Sequence, residues 1–380
     1  MKSTKRRDAL KTLAVGSGLV LLTPGVLVSC SQKSEKTTAQ GDAPPSKKSK
    51  VGVALVGLGY YSTDLLAPAL QLTKDCYLAG IVTGTPSKAD TWKEKYGIPD
   101  NNIYNYENFD SIKDNPDIDA IYIVLPPSMH EEYVIRAANA GKHVWCEKPM
   151  AVTAQECQNM VDACKKNGVQ LTIGYRLHHE PNTQEYRKII NEGKLGNVKS
   201  LKCAAGYREN RTDHWKQKAE MGGGVIYDMG VYAIQGARCG TGMEPIAVVS
   251  AKTISTRPEI YKDGLADVVE ATLEFPGGIL AEIKTSFAEN TNFLTVECEE
   301  GTLAMEPFSA YAGVKGSSPL GEINHPYEVP MQQAMQMDND ARSILDGTPP
   351  LVPGEEGLRD IRIVEAILAC AKTGQRVPLV

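Results

Sequence analysis

An uninterrupted apolar run, Val51–Val56, leads directly into Gly57-Leu58-Gly59 and then into a helical stretch through Leu66–Leu72. A strand with no polar residue is buried on both faces, which calls for a parallel sheet with helices on either side. The first glycine permits a tight turn, and the second lets main-chain N–H groups approach phosphate oxygens at the helix N-terminus. Ser62 stands where such turns carry Gly or Ala, and Pro68 falls inside the expected helix. Strand, glycines and helix in this order predict the opening unit of a doubly wound, dinucleotide-binding sheet.

The alternation continues for over a hundred residues. Strands are expected at Tyr77–Val82, Ala120–Leu125, His143–Cys146 and Val169–Ile173, with helices at Ser87–Tyr96 and from His130 to Gly141. This predicts a Rossmann domain over residues 51–173. After the second strand, Thr83-Gly84-Thr85-Pro86-Ser87-Lys88 lacks the acidic residue that would hold a ribose 2′-hydroxyl. The Thr83 hydroxyl and the Lys88 ammonium suit a 2′-phosphate instead, so NADP is expected over NAD. Leu125 and Pro126 close the next buried strand, and Pro126 and Pro127 shape a loop flanking the nicotinamide side. Ligands of such sheets gather at the carboxyl ends of strands, where Glu147 and Lys148 fall before Pro149 ends the run. Lys148 is the first catalytic candidate.

Beyond Ile173 the pattern changes. Apolar strand-like runs at Val198–Ala205, Ile246–Ile254, Val268–Phe275, Ile279–Phe287 and Phe293–Cys298 predict a second, α+β domain over residues 174–380 with an open, mainly antiparallel sheet. A C-terminal helix over 355–373 carries one broad apolar face. Between the first two strands, Gly222–Gly224 precede a helix on which Asp228 and Tyr232, four residues apart, share a face. A lysine brought to that face from the first domain completes an acid–base set. Lys148 stabilises negative charge on the phenol, Tyr232 exchanges the proton, and Asp228 orients and balances the lysine.

A net charge of −5 gives no electrostatic footprint for nucleic acid and leaves a small metabolite as the expected partner. The nine cysteines include no Cys-x-x-Cys pair and the six histidines no His-Glu-x-x-His, so no metal site is expected. Residues 1–30 have a basic start and an apolar run from Leu13 to Val28, interrupted by Gly16, Gly18 and Pro24 and short for a membrane span. They read as a signal peptide. Lys5-Arg6-Arg7-Asp8 resembles a twin-arginine export signal, and Leu27-Val28-Ser29-Cys30 resembles a lipobox. Export by the twin-arginine route follows, with the protein periplasmic or lipid-anchored through Cys30. Residues 31–50, rich in Ser, Lys, Thr and Pro, are expected to act as a flexible linker.

With Gly57-Leu58-Gly59-Tyr60-Tyr61, Glu147-Lys148-Pro149, Gly174-Tyr175-Arg176-Leu177-His178, the Gly222–Tyr232 segment and Pro353–Asp360 together, the chain resembles the Gfo/Idh/MocA oxidoreductases, named for glucose–fructose oxidoreductase, inositol dehydrogenase and rhizopine catabolism. The similarity is greatest to the glucose–fructose oxidoreductase branch and runs from about Val51 to Val380. It implies a tightly held NADP, a homo-oligomer (dimer or tetramer) and catalysis by Lys148, Asp228 and Tyr232. It also implies that Thr83, Lys88, Tyr106, His130, Tyr175, Arg176 and Trp215 line the cofactor. Gly57, Leu58, Gly59, Tyr60, Tyr61, Leu125, Pro126, Glu147 and Lys148 complete the expected cofactor-binding set. Lys216 follows Trp215 where the branch favours Arg. The expected reaction is hydride transfer between C1 of an aldose and the nicotinamide, with re-oxidation by a second sugar. Rival readings are a glycoside-cleaving enzyme that oxidises its sugar transiently and a non-catalytic, lipid-anchored sugar-binding protein.

Overall fold

The computed structural model describes residues 48–379; the leader, Cys30 and the linker up to residue 47 lie outside the described residues. Six parallel strands form the first sheet: β1 (Val51–Val56), β2 (Cys76–Val82), β3 (Ile103–Tyr104), β4 (Ala120–Ile123), β5 (His143–Cys146) and β6 (Leu171–Ile173), in the order β3-β2-β1-β4-β5-β6. The order reverses beside β1, which pairs with β4 up to Val56–Ile123, so the carboxyl ends of these two strands mark the switch point of the sheet, where such folds take their ligands. Every residue of β1 is buried, as its apolar sequence requires.

Helices α1 (Ala67–Leu70), α2 (Pro86–Tyr96), α3 (His130–Asn139) and α4 (Ala154–Lys166) connect these strands. Side-chain alternation sends Ala54, Val56, Ile121 and Ile123 to the face that packs on α3 and α4. Val53, Leu55, Tyr122 and Trp145 go to the other face, and their cover is a helix from much later in the chain. That helix, α7 (Met331–Asp346), places Ala334, Met337 and Ala341 in this core. Residues 331–346 therefore belong spatially to the first domain, although their sequence position assigns them to the second. The helix over residues 62–70 packs Leu66, Ala67, Ala69 and Leu70 into the same core, and α7 completes the cover over that face.

The second domain contains α5 (Pro181–Asn191), β7 (Val198–Gly206), α6 (Val231–Thr241), β8 (Ala247–Ile254), β9 (Val268–Phe275), β10 (Ile279–Ser286), β11 (Thr291–Cys298), β12 (Gly301–Met305), β13 (Gly316–Ser318), β14 (Gly321–Ile323), α8 (Gly354–Thr373) and β15 (Val377–Pro378). Its nine strands are ordered β14-β13-β12-β11-β7-β10-β9-β8-β15, and β7–β10 is the parallel pair in an otherwise antiparallel sheet. Helices α6 and α8 cover one face. The other carries cross-strand charges such as Lys202–Glu282 at 3.1 Å and Lys284–Glu270 at 3.8 Å. The two domains pack as one compact unit.

Candidate active site

The glycine turn after β1 is shaped by its neighbours. Gly57 adopts φ +89°, and a Cβ there would stand 2.4 Å from the Val124 carbonyl oxygen, so β4 approaches as closely as glycine allows. A Cβ on Gly59 would meet nothing within 4 Å, which leaves its side of the turn open to a ligand. Ser62 is buried and donates its hydroxyl to the Gly57 carbonyl at 2.6 Å, locking the turn from inside. That bond accounts for serine where Gly or Ala was expected. The helix then opens with a wide π-type turn over Ser62–Leu66, and Pro68, which has no N–H to give, falls just after it.

Residues from three strand ends line this turn. Thr83 receives the Thr85 N–H on its hydroxyl at 3.2 Å, and the Lys88 ammonium donates to the Leu58 carbonyl at 2.9 Å. The Tyr106 ring lies 3.1 Å from where a Gly84 side chain would begin. Tyr60 is 65% exposed beside the turn, and the Tyr61 ring lies 6.2 Å from that of Tyr311. This arrangement fits a dinucleotide: an unobstructed glycine, main-chain donors at a helix start, and a lysine over the turn.

Lys148 reaches out of the first domain into the second. Its ammonium donates to the Asp228 carboxylate at 3.1 Å and to the Asp228 carbonyl at 3.0 Å, and it lies 4.6 Å from the centre of the Tyr232 ring. The expected trio is thus brought together, with the cation over the phenol's face. Asp228 occupies a second wide turn, Ile226–Gly230, just before α6. Its other oxygen accepts from Lys216 at 2.5 Å and from the Tyr207 hydroxyl at 3.3 Å. Burial alone would raise the Asp228 pKa, but Lys148 and Lys216 hold it well below the carboxylate range. Burial likewise opposes charge on Lys148, and Asp228 outweighs it and keeps the ammonium protonated.

Glu147 is held differently. Its carboxylate accepts from the Tyr122 hydroxyl at 2.6 Å and from the Lys148 main-chain N–H at 3.2 Å, and burial pushes its pKa up to about 7. Arg176 is also buried, donating to the carbonyls of Ala310 and Ser309 and to Gln332. Its guanidinium lies 5.2 Å from the Tyr232 ring centre and 4.5 Å from that of Tyr311. Both of its terminal nitrogens are engaged inside the protein, beside the two phenols.

Two other side chains implied to line the cofactor are turned into the protein. The His130 ring is fully buried, with Nε2 2.8 Å from the Leu125 carbonyl and Nδ1 3.1 Å from those of Pro149 and Met150. It ties the loop after β4 to the loop after β5. Tyr175 is buried beside Asp360. Trp215 sits beside Lys216, whose ammonium is 5.7 Å from its ring centre. Leu125 borders the Gly57 turn, where a Gly57 side chain would lie 2.8 Å from its Cδ2, and Pro126 is the next residue along the chain. Sequence reasoning missed Tyr122, Tyr207 and Tyr311 and gave Lys216 no role. The two-residue spacing of Tyr207 and Glu209 at the end of β7 carried some signal; Tyr311, in an irregular loop, carried none.

The same geometry has relatives. Residues 51–175 match the oxidoreductase family with an NAD-binding Rossmann fold, and residues 183–304 match the GFO/IDH/MocA C-terminal domain. The crystal structure of an aldose-aldose oxidoreductase from Caulobacter crescentus, complexed with glycerol, shares 38% identity at a TM-score of 0.82, covering 87% of this chain and 100% of that one. The chain belongs to the Gfo/Idh/MocA family. Among family members, D-xylose 1-dehydrogenase [NADP(+)] of Haloarcula marismortui is 28% identical over 87% of this chain and 93% of its own length. D-xylose 1-dehydrogenase (NADP(+)) 2 of Haloferax volcanii is 27% identical over 86% and 98%. The Gfo/Idh/MocA match over residues 51–175 is to an NAD-binding Rossmann fold of an oxidoreductase family, and the Gly57–Gly59 turn lies within it.

Proposed function

We propose that this chain is an exported, NADP-dependent sugar oxidoreductase that removes hydride from C1 of an aldose and is re-oxidised by a second sugar in the same site. The observation that carries the reading is the meeting of Lys148 from one domain with Asp228 and Tyr232 from the other. The names of its relatives, two NADP-dependent xylose dehydrogenases and an aldose-aldose oxidoreductase, support it.

Bound NADP supplies the two-electron acceptor for the C1 hydrogen. Leu58, Gly59, Thr83 and Lys88 would hold it, with the Lys88 ammonium set for the 2′-phosphate. The chain's own contribution is to the proton. Tyr232 takes it from the C1 hydroxyl as that carbon becomes the carbonyl of a lactone, and Lys148 and Arg176 set positive charge against the phenol as it gains negative charge. Asp228, bound by two lysines, keeps Lys148 in place and is not itself a base. Reduction of the second sugar runs the same proton path backwards.

Export through the leader and lipidation of Cys30 belong to the same reading. Outside the cytoplasm no free nicotinamide pool renews the cofactor, so a two-sugar cycle on one retained nucleotide is the economical chemistry. The polar open face of the second sheet is the proposed oligomer surface. The test is to denature the purified protein, identify the released nucleotide, and follow its absorbance at 340 nm in the native enzyme as an aldose and then a second sugar are added. NADP that is reduced and then re-oxidised is expected. NAD, or a nucleotide whose redox state ignores sugars, would overturn the reading.

A further inference from the structure

Glu147 is a buried carboxylate that the proton path through Tyr232 leaves unused. Tyr122, fully buried on β4, donates its hydroxyl to one Glu147 oxygen at 2.6 Å, and the Tyr122 oxygen accepts from the Gln336 amide at 2.9 Å. The donors therefore run one way, from Gln336 to Tyr122 to Glu147. The second Glu147 oxygen accepts the main-chain N–H of Lys148 at 3.2 Å. Gly174 makes room for this chain: a Cβ there would stand 2.6 Å from the Glu147 oxygen and 3.0 Å from the Tyr122 hydroxyl. Gln336 lies on α7, so the helix that returns to cover the first sheet also braces the strand end carrying the lysine.

We propose that Tyr122, backed by Gln336, is a positioning residue for the redox site: its hydrogen bond keeps Glu147 a carboxylate that pins the Lys148 main chain and so aims the lysine at Asp228 and Tyr232. The proposal rests on the oxidoreductase reading of that site. A proton on the Glu147 oxygen facing Tyr122 would set donor against donor. The phenol oxygen could accept it beside Gln336, but the phenol's own hydrogen would then lose its acceptor. Burial works in the opposite direction and favours the acid. The groups facing Glu147 are its chain neighbours Lys148 and Cys146, Tyr122 from β4, Tyr61 from the turn after β1 and Arg176 from the segment after β6. Against burial stand the Tyr122 donor first, then the Lys148 ammonium and main-chain N–H and the Arg176 guanidinium, so removing the Tyr122 donor shifts the balance toward the acid.

The experiment compares wild type with Tyr122→Phe and Gln336→Leu in the holoenzyme. The readouts are the pH dependence of sugar turnover and the titration of a buried carboxylic C=O stretch in infrared difference spectra, assigned by its loss in Glu147→Gln. Losing a hydrogen bond to a charged acceptor is expected to move both the acid limb and the infrared titration of Tyr122→Phe upward by about one pH unit. Gln336→Leu, which weakens the same donor indirectly, should move them less and in the same direction. A folded Tyr122→Phe protein in which neither moves would overturn the proposal. If Tyr122→Phe does not fold, an unmoved profile in Gln336→Leu does so. The infrared titration needs no turnover, so an enzyme inactive on sugars would sink the functional reading while this coupling is still measured.

Discussion

Two buried carboxylates flank Lys148, one from each domain, and they are held in opposite ways. Asp228 receives ammonium groups from Lys148 and Lys216 and stays charged far below neutral pH. Glu147 receives a phenol and a main-chain N–H, and burial lifts it to about 7. Equal enclosure thus gives opposite charge behaviour, because a cation in contact offsets desolvation and a neutral donor does so only in part. The site keeps one permanent anion to hold its lysine and one adjustable group behind it.

Removing the shared cation should have the largest effect. Lys148→Met is expected to lower sugar turnover on the order of a thousandfold, read as NADPH formation in a stopped-flow instrument. An unchanged rate would detach both carboxylates from the chemistry. Next comes Asp228→Asn, which leaves Lys148 and Lys216 facing each other with no counter-charge. Urea denaturation should show a loss of about 3 kcal/mol, and the same loss in Glu147→Gln would erase the distinction drawn above.

The third prediction concerns pH. Glu147 binds a proton in the folded state up to about 7 and in the unfolded chain only up to about 4.5. Between those values the folded state holds the extra proton, so stability is fully present below 4.5 and declines as pH rises through 7. The unfolding free energy of wild type, from urea denaturation, should therefore fall from pH 5 to 8 by up to about 3 kcal/mol from this group, and Glu147→Gln should remove that slope. Asp228, with its pKa depressed, should contribute no slope in the same window. The smallest effect is expected farthest from both groups: Lys88→Ala should weaken NADP binding about tenfold in a fluorescence titration and leave the pH profile of turnover in place.

What could be read along the chain depended on how close together the relevant residues lie. The Gly57–Gly59 turn and the Glu147-Lys148 strand end are each a few consecutive residues, and Asp228 and Tyr232 are one helical turn apart. Helix α7 escaped notice because its buried side includes Gln332, Gln333, Gln336 and Asp340, which break the apolar period that marks a buried helix. Two of them are explained by what they cover: Gln332 meets the Arg176 guanidinium and Gln336 the Tyr122 hydroxyl. The roles implied for His130 and Tyr175 followed their positions along the strand ends, and a position does not say which way a side chain turns.

Local sequence determined the parallel sheet, the glycine turn open to a dinucleotide, and a lysine at a strand end. Those outcomes follow from apolar runs, missing side chains and a proline stop, all of which act over a few residues. Only the tertiary structure decided which groups surround that lysine. Lys216, Arg176, Tyr122 and Gln336 come from four separate segments. Whether a buried carboxylate meets an ammonium or a phenol depends on how those segments pack, and no spacing along the chain encodes it.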